Sequence, residues 1–462
     1  MSSVIRSASC SDTVPEPSIL TVAQARQRII DDFSIISASE KLNLRNALAR
    51  VLAEDIVSPV SVPGHTNSAM DGYALAGSEL PRSGDKTFHV AGKSYAGAPY
   101  RGQCRTGECI RIMTGAVMPE GTDTVVIQEH VQRVGDDHIR IDGGHSAGQN
   151  VRQAGEDIAA GGTVLHTPHT LTPADLGILA SLGIGEVRVR RRPRVAFFST
   201  GDELRSIGEP LAEGEVYDSN RYSLYGMLKR LDVDVLDMGV VRDDAGAVRT
   251  ALTEAADMAD VVITSGGVSV GEADYIKPVL EETGAIDFWK IAMKPGRPLT
   301  YGRIGNSRFF GLPGNPVAVM VTFYQFVQPA LKYLVSGHVS EPLLLTATSE
   351  SGIRKRPGRY EFQRGIYRQD EAGTFSVGKT GKQGSGVLMS MSRANCFILL
   401  PEDCDGIAAG ESVTIQPFDT LVYLSSLPST LPSMDQDRRL LGCRVSIDSG
   451  HRCCQSVVPL QL

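Results

Sequence analysis

The residues best suited to chemistry stand just after short apolar runs. RVAFFS is followed by Thr200-Gly201-Asp202-Glu203 and VDVLDMGVV by Arg242-Asp243-Asp244. DVVITS leads into Gly266-Gly267-Val268-Ser269-Val270-Gly271-Glu272-Ala273-Asp274, and RFFGL into Pro313-Gly314-Asn315-Pro316. In an open α/β sheet, ligands sit beyond the carboxyl ends of the strands. Strand ends that carry Gly-rich turns and acids therefore define a candidate site. Glycines tolerate positive φ and let backbone N–H groups converge on an anion. A helix starting near Tyr275 would add its positive end to a phosphate subsite in SGGVSVGEAD. Asp274 would stand where a divalent cation bridges carboxylate and phosphate oxygens. Each piece alone has a plainer reading. The long loop reads equally as an ordinary βα turn and Glu203 as a solvated turn residue. Asp243-Asp244 reads as a helix N-cap, as does Asn315 with Pro316 at the first helical position. Their convergence favours a site.

In WKIAMKPGRP, Lys290 and Lys294 are four apart, which on an extended strand places them on one face; Arg297 follows a Pro-Gly turn. They are either the lysines of a solvated edge strand or cations that neutralise phosphate or oxyanion charge opposite the acids. Asn67-Ser68-Ala69-Met70-Asp71-Gly72-Tyr73-Ala74-Leu75 contains the turn dipeptide Asp-Gly, and so fits a plain hairpin. The run from Arg354 to Arg359 reads as a solvated loop, and Gly381–Gly386 as a second anion nest or a flexible turn.

The elements that must position these residues follow from the hydrophobic pattern. Thr21 can N-cap a helix through about Phe33. Residues 60–150 alternate short β-type runs with Gly turns, as in a small all-β module. Residues 151–193 return to helix, with PADLGILASLGIG the clearest piece. From 194 to 335, strand and helix alternate, which predicts an α/β domain with a doubly wound, mostly parallel sheet. β runs resume over 340–418 as a barrel or sandwich. The expected class is α/β plus β in a multidomain chain. It comprises a discontinuous linker/helical domain (20–58 and 151–193), a β module (59–150), the α/β domain (194–338) and a C-terminal β-barrel-like domain (339–420). Residues 421–462, Ser- and Pro-rich without a clean period, read as a poorly ordered tail.

Composition bounds the partners. The chain has 462 residues, consistent with about three domains. Lys+Arg 46 against Asp+Glu 53 leaves a net charge of −7, a poor footprint for nucleic acid or an anionic membrane. No stretch approaches the ~18 consecutive apolar residues of a membrane helix, and the N-terminus lacks the apolar region of a secretory signal. The 8 Cys form no CxxC pair and the 9 His are scattered, which disfavours a zinc site or disulfide framework. The expected location is cytoplasmic.

SAMDGYAL, MTGAVMP, STGDEL, TSGGVSVGEADY, FWKIAMKPGRP and GLPGNPVA occur in this order. Together they resemble the MoeA family, the molybdopterin molybdenumtransferases that include the E domain of gephyrin. The resemblance covers roughly residues 20–418 and stops before the tail. It implies the last step of molybdenum cofactor synthesis, in which adenylylated molybdopterin and molybdate give cofactor and AMP with a divalent cation, usually Mg2+. It also implies roles for Asp71, Thr114, Arg152, Asp157, Glu203, Asp243, Asp274, Lys290, Lys294, Arg364 and Ser385. Glu203, Asp243 and Asp274 would handle metal and pyrophosphate. Lys290, Lys294, Arg364 and Ser385 would bind oxyanion or pterin phosphate. Gly266, Gly267, Ser269, Gly271, Pro313, Gly314 and Asn315 form the candidate substrate-binding turns. The family subunit is elongated and forms a homodimer with a shared active site, the β module of one chain facing the α/β domain of the other. A molybdopterin adenylyltransferase and molybdoenzyme delivery proteins are the implied partners. Two rival readings are adenylylation of molybdopterin by ATP and a gephyrin-like scaffold. The SGGVSVGEADY form of the loop weighs against the first, and the intact set of acids and lysines against the second.

Overall fold

The computed structural model describes residues 19–267, 275–339 and 341–418. The expected tail, 421–462, lies outside them.

The continuous apolar runs become the centre of a six-stranded sheet. Its order is Asp234–Val241, Arg194–Thr200, Val261–Ser265, Ser307–Leu312, Pro298–Ile304, Gly284–Lys290. The first four strands are parallel, and the last two add antiparallel. Parallel strands are covered on both faces, which is why they read as unbroken hydrophobic runs. Alternate residues go to opposite sides. Val195, Phe197, Ile263 and Phe310 meet helices Ser219–Lys229 and Pro316–Thr322 on one face. Ala196, Phe198, Val262 and Phe309 meet Ala245–Met258 and Ile276–Thr283 on the other. Arg194–Thr200 lies between the strands that follow it in the chain, so the winding direction reverses beside it and opens a crevice beyond its carboxyl end.

The first helix, Val22–Asp32, completes this core. Thr21 Oγ1 accepts from Gln24 N at 3.2 Å while Gln24 Oε1 accepts from Thr21 N at 2.9 Å, a reciprocal N-terminal cap. Val22, Ala25, Ile29 and Phe33 then pack with Phe310 and Leu334. Asp32 accepts from Tyr301 Oη at 2.7 Å and pairs with Arg303 and Arg308.

Residues 151–193 are less helical than their composition predicts. Their one helix is Pro173–Ser181, flanked by the strands Val151–Arg152, Thr163–Leu165 and Glu186–Arg190. EVRVR alternates with period two and buries Val187 and Val189. It pairs with Ser39–Asn43, and that alternation outweighs the helical pattern upstream. The β module is a sheet of six strands, from Thr124–Ile127 through Gly72–Leu75 to Val131–Val134.

The C-terminal strands close on themselves. Tyr360–Gln369 pairs with Phe375–Lys379, which is followed around the ring by Leu345–Ser349, Ser412–Pro417 and Cys396–Leu400. Cys396–Leu400 pairs back to Tyr360–Gln369. Val377, Ile398, Val413 and Ile415 fill the interior. Between the sheet and this barrel runs Pro316–Ser336, broken by a π turn at Phe323–Val327. There Gln325 O accepts from Arg26 Nε at 3.0 Å, and Gln325 Nε2 donates to Gln416 Oε1 at 3.0 Å. No helix among the described residues is long and apolar enough to cross a membrane.

Candidate functional site

Backbone geometry sets the crevice. Gly266 and Gly267 hold φ of +88° and +66°. A Cβ at Gly266 would stand 2.5 Å from the Thr200 carbonyl oxygen, and one at Gly267 would stand 2.6 Å from Thr200 Oγ1. Only glycine lets the two turns approach so closely. Gly266 N donates to Leu312 O at 3.1 Å, drawing in the Pro313-Gly314-Asn315 turn. Asn220 Nδ2 locks the same turns by donating to Ser265 Oγ at 2.9 Å and Gly314 O at 2.7 Å. Asn220 Oδ1, Asp218 Oδ2 and Thr200 Oγ1 are buried and have no hydrogen-bond partner among the described residues. Buried polar atoms in folded proteins are paired, so these oxygens suit a ligand that brings N–H donors. Asn315 occupies the N-cap of Pro316–Thr322, yet its side chain makes no capping hydrogen bond.

The two aspartates after Asp234–Val241 divide their roles. Asp244 is the cap, its Oδ1 accepting from Gly246 N and Ala247 N at 2.9 Å. Asp243 is half-buried beside Asp202, whose Oδ1 accepts the Asp243 N–H at 3.3 Å. Burial, and then the charges of Asp202 and Glu203, push the Asp243 carboxyl above the usual carboxylate range. Such like-charge crowding favours a bound cation. Among the described residues no three carboxylate, His or Cys side chains group closely enough to hold a metal alone. Ser269, Gly271 and Asp274 lie outside the described residues.

The two lysines do not share a strand face. Lys290 ends the last strand of the α/β sheet, opposite Pro298. The chain then bends, and Met293–Lys294 joins the C-terminal barrel, running parallel to Tyr360–Glu361. The Pro-Gly segment and the new partner strand override an extended reading of KIAMK. Lys294 Nζ lies 3.2 Å from Glu361 Oε1. Arg364, on the same barrel strand, is 1% exposed. Its Nε donates to Ser390 Oγ and its Nη2 to Gly384 O, both at 3.1 Å. No carboxylate among the described residues pairs with it, and burial pushes its pKa down to about 10. Val317 N donates to Ser385 O at 3.0 Å, seating the Gly381–Gly386 loop on the Asn315-Pro316 helix start. The Asn315-Pro316 helix start of the α/β domain therefore meets the barrel loop that holds Arg364.

A second group forms in the β module. Asp71 Oδ1 accepts from Thr114 N at 2.7 Å and Thr114 Oγ1 at 2.8 Å. These two bonds, with the nearby Arg111 charge, hold its carboxyl below the usual range. Arg152 lies across from Asn67, and Asp157 N donates to Val62 O at 3.1 Å. No hydrogen bond or ion pair among the described residues joins this group to the first.

Residues 20–183 match the MoeA N-terminal region (domain I and II), 196–333 a probable molybdopterin binding domain, and 346–418 the MoeA C-terminal region (domain IV). A molybdopterin molybdenumtransferase of Haemophilus influenzae is 44% identical, covering 87% of this chain and 100% of its own length. The chain belongs to the MoeA family. A molybdopterin molybdenumtransferase of a Nostoc species is 34% identical over 87% of this chain and 94% of its own. The crystal structure of a molybdopterin biosynthesis moeA protein from Pyrococcus horikoshii superposes with a TM-score of 0.76 at 31% identity, covering 87% of this chain and 100% of that one.

Within this MoeA-family chain, sequence reading passes over Asp218, Asn220 and Glu361. Asp218 N-caps Ser219–Lys229 and accepts from Arg221 N at 3.0 Å. That Asn220 turns inward to clamp two loops has no local signal. The Lys294–Glu361 pair spans 67 positions, beyond any periodic pattern.

Proposed function

We propose that this molybdenum transferase moves molybdenum from molybdate to adenylylated molybdopterin and releases AMP, completing the molybdenum cofactor. The observation that carries the reading is the meeting of the Pro313-Gly314-Asn315 turn, tied to the paired glycines, with the barrel loop that holds the buried, carboxylate-free Arg364. A pyrophosphate-bearing pterin and a dianion need both walls. Arg364 and Lys294 offer charge-assisted N–H donors to the oxyanion, and Arg364 is stripped of water before the substrate arrives. Lys290, at the adjoining strand end, would add charge. The unpaired oxygens of Thr200, Asp218 and Asn220 would accept the N–H groups of the pterin.

Mg2+ would be held by Glu203 and Asp243, with Asp274. This cation takes one or two carboxylates and completes its shell with water and phosphate oxygens, which fits acids that, among the described residues, are too few to cage a metal alone. When bound, it supplies Lewis-acid polarisation of the pyrophosphate.

Asp71, Thr114, Arg152 and Asp157 stand apart within one chain, so we read the working unit as a homodimer. In a two-fold arrangement, each cleft would combine the β module of one chain with the α/β domain of the other. A molybdopterin adenylyltransferase would supply the substrate, and molybdoenzyme delivery proteins would accept the product.

The test is AMP release from adenylylated molybdopterin by the purified chain. Turnover requiring both molybdate and Mg2+, and abolished by excess chelator, is expected. Equal release without molybdate, or in chelator, would overturn the assignment. ATP consumption with unadenylylated molybdopterin would instead mark an adenylyltransferase, and a folded chain inert in both assays would be a scaffold.

A further inference from the structure

A charged group inside the C-terminal barrel has a bearing on the chemistry outside it. Glu361 lies directly across from Leu400, Gln363 from Ile398 and Gly365 from Cys396 on the neighbouring antiparallel strand. Directly opposed residues share a face. Leu400, Ile398 and Cys396 line the barrel interior, so Glu361 and Gln363 point inward too. Glu361 is 5% exposed and Gln363 7%. A carboxylate in such a place needs a paired charge and a hydrogen bond to offset its burial. Glu361 meets both demands: Oε2 accepts from Gln363 Nε2 at 3.2 Å, and Oε1 faces Lys294 Nζ at 3.2 Å.

Lys294 differs from its partner. Its side chain is 53% exposed against 7% for that of Glu361. It arrives on the short strand Met293–Lys294, which leaves the α/β sheet and adds alongside Tyr360–Glu361. One end of the ion pair is thus fixed in a packed interior and the other is open to solvent. An ammonium has three donors. One is spent on the buried carboxylate, and the rest remain for a second acceptor.

We propose that Glu361 is a positioning residue, the resident counter-charge that aims Lys294 and that a substrate oxyanion must share. The proposal rests on the anion-binding reading of Lys294. Two opposed effects follow from the geometry. Glu361 holds the flexible lysine stem in one place, which favours turnover. Its negative charge also offsets the lysine's attraction for any anion, which weakens binding. Removing the charge while keeping the shape therefore lowers kcat without raising KM for molybdate. A role limited to barrel stability would reduce the yield of folded protein and leave both constants of the folded fraction unchanged.

The experiment measures initial AMP release against molybdate concentration for wild type, Glu361→Gln, Glu361→Asp, Lys294→Ala and the double variant Glu361→Gln/Lys294→Ala, each normalised to folded protein. Glu361→Gln should lose on the order of tenfold to a hundredfold in kcat, up to the scale of a catalytic contact misplaced by about 1 Å, with KM for molybdate unchanged or lower. Glu361→Asp, which keeps the charge, should recover most of kcat. The double variant should match Lys294→Ala alone, because the carboxylate acts only through the lysine. Impaired Lys294→Ala with wild-type constants for Glu361→Gln would overturn the proposal. So would losses that multiply in the double variant. If Glu361→Gln does not fold, Glu361→Met, an apolar residue of similar volume that also removes the charge, and its double variant with Lys294→Ala give the same coupling test. If Lys294→Ala itself behaves as wild type at limiting molybdate, the anion-binding reading of the lysine fails first, and the proposal with it.

Discussion

Arg364→Met separates charge from packing at the junction of the two walls. The guanidinium is 1% exposed, and burial pushes its pKa from 12.5 to about 10. At about 1.4 kcal/mol per tenfold, keeping this cation dry costs the fold at most roughly 3 kcal/mol, and nearer 2 after screening. The sign is that of a base whose folded pKa lies below its unfolded one. The cost is complete at neutral pH and fades only as pH rises above about 10. Methionine keeps most of the volume and removes the cost. It also removes the bonds to Ser390 Oγ and Gly384 O, which from a charged donor are together worth about 3–6 kcal/mol. These terms partly offset, so the unliganded variant should melt no more than several degrees below wild type. Ligand separates the two proteins. A dianion that binds the wild-type cation stabilises the fold by about 2.7 kcal/mol at a hundredfold excess over Kd. Calorimetry with and without molybdate at constant ionic strength should show a rise in Tm for wild type and none for Arg364→Met. AMP release should fall about a hundredfold, as when one oxyanion donor is lost. An undiminished molybdate shift in the variant would show that Arg364 is a structural cation and would refute the reasoning.

Three further outcomes are expected. Asp243 carries a raised carboxyl pKa from burial and from Asp202 and Glu203, so its ionised form opposes folding. Asp243→Asn should raise Tm slightly at pH 7 and lose that gain below about pH 4, where the wild-type group is protonated in both states; a lower Tm at pH 7 would contradict this. Gly267→Ala should destabilise the protein by more than about 1 kcal/mol in urea melts, because φ is +66° and the new Cβ meets Thr200 Oγ1 at 2.6 Å; an unchanged midpoint would mean that the turn relaxes freely. Mixing Asp71→Asn and Asp243→Asn chains should restore about a quarter of wild-type sites after random exchange, since half the dimers are mixed and each regains one cleft; activity that stays at the parental background would place both residues in one chain's site.

The sequence was most informative where burial is two-sided or where a residue type has one structural use. RVAFFS and DVVITS announce central parallel strands because both faces must be apolar. Ala245–Met258 is bounded by the aspartate that caps it. The paired glycines at 266 and 267 mark the tight approach to Thr200. Failures came where partners are distant in the chain. Lys290 and Lys294 look like one strand until the barrel captures the second. EVRVR looks like the end of a helical region until its valines find Ser39–Asn43. Asp243 and Asp244 are alike as letters, and only the depth of the crevice separates the cap from the crowded acid. Glu361 gives no signal at all, because a lone Glu in a strand pattern looks solvated until the ring closes around it.

The first helix sets a timing problem for synthesis. Ala25 and Ile29 belong with Phe310 and Leu334, nearly three hundred positions later in the chain. At about 5–20 residues per second, the ribosome completes their partners some tens of seconds after the helix emerges. Until then its apolar stripe has no permanent cover, and the segment that wraps the α/β sheet cannot mature in the order in which it is made. Excising residues 196–333 as a free-standing module would leave the converse defect, a sheet whose Phe310 lacks the helix that covers it. The borders along which the three family regions are recognised are therefore not the borders along which the protein can be cut.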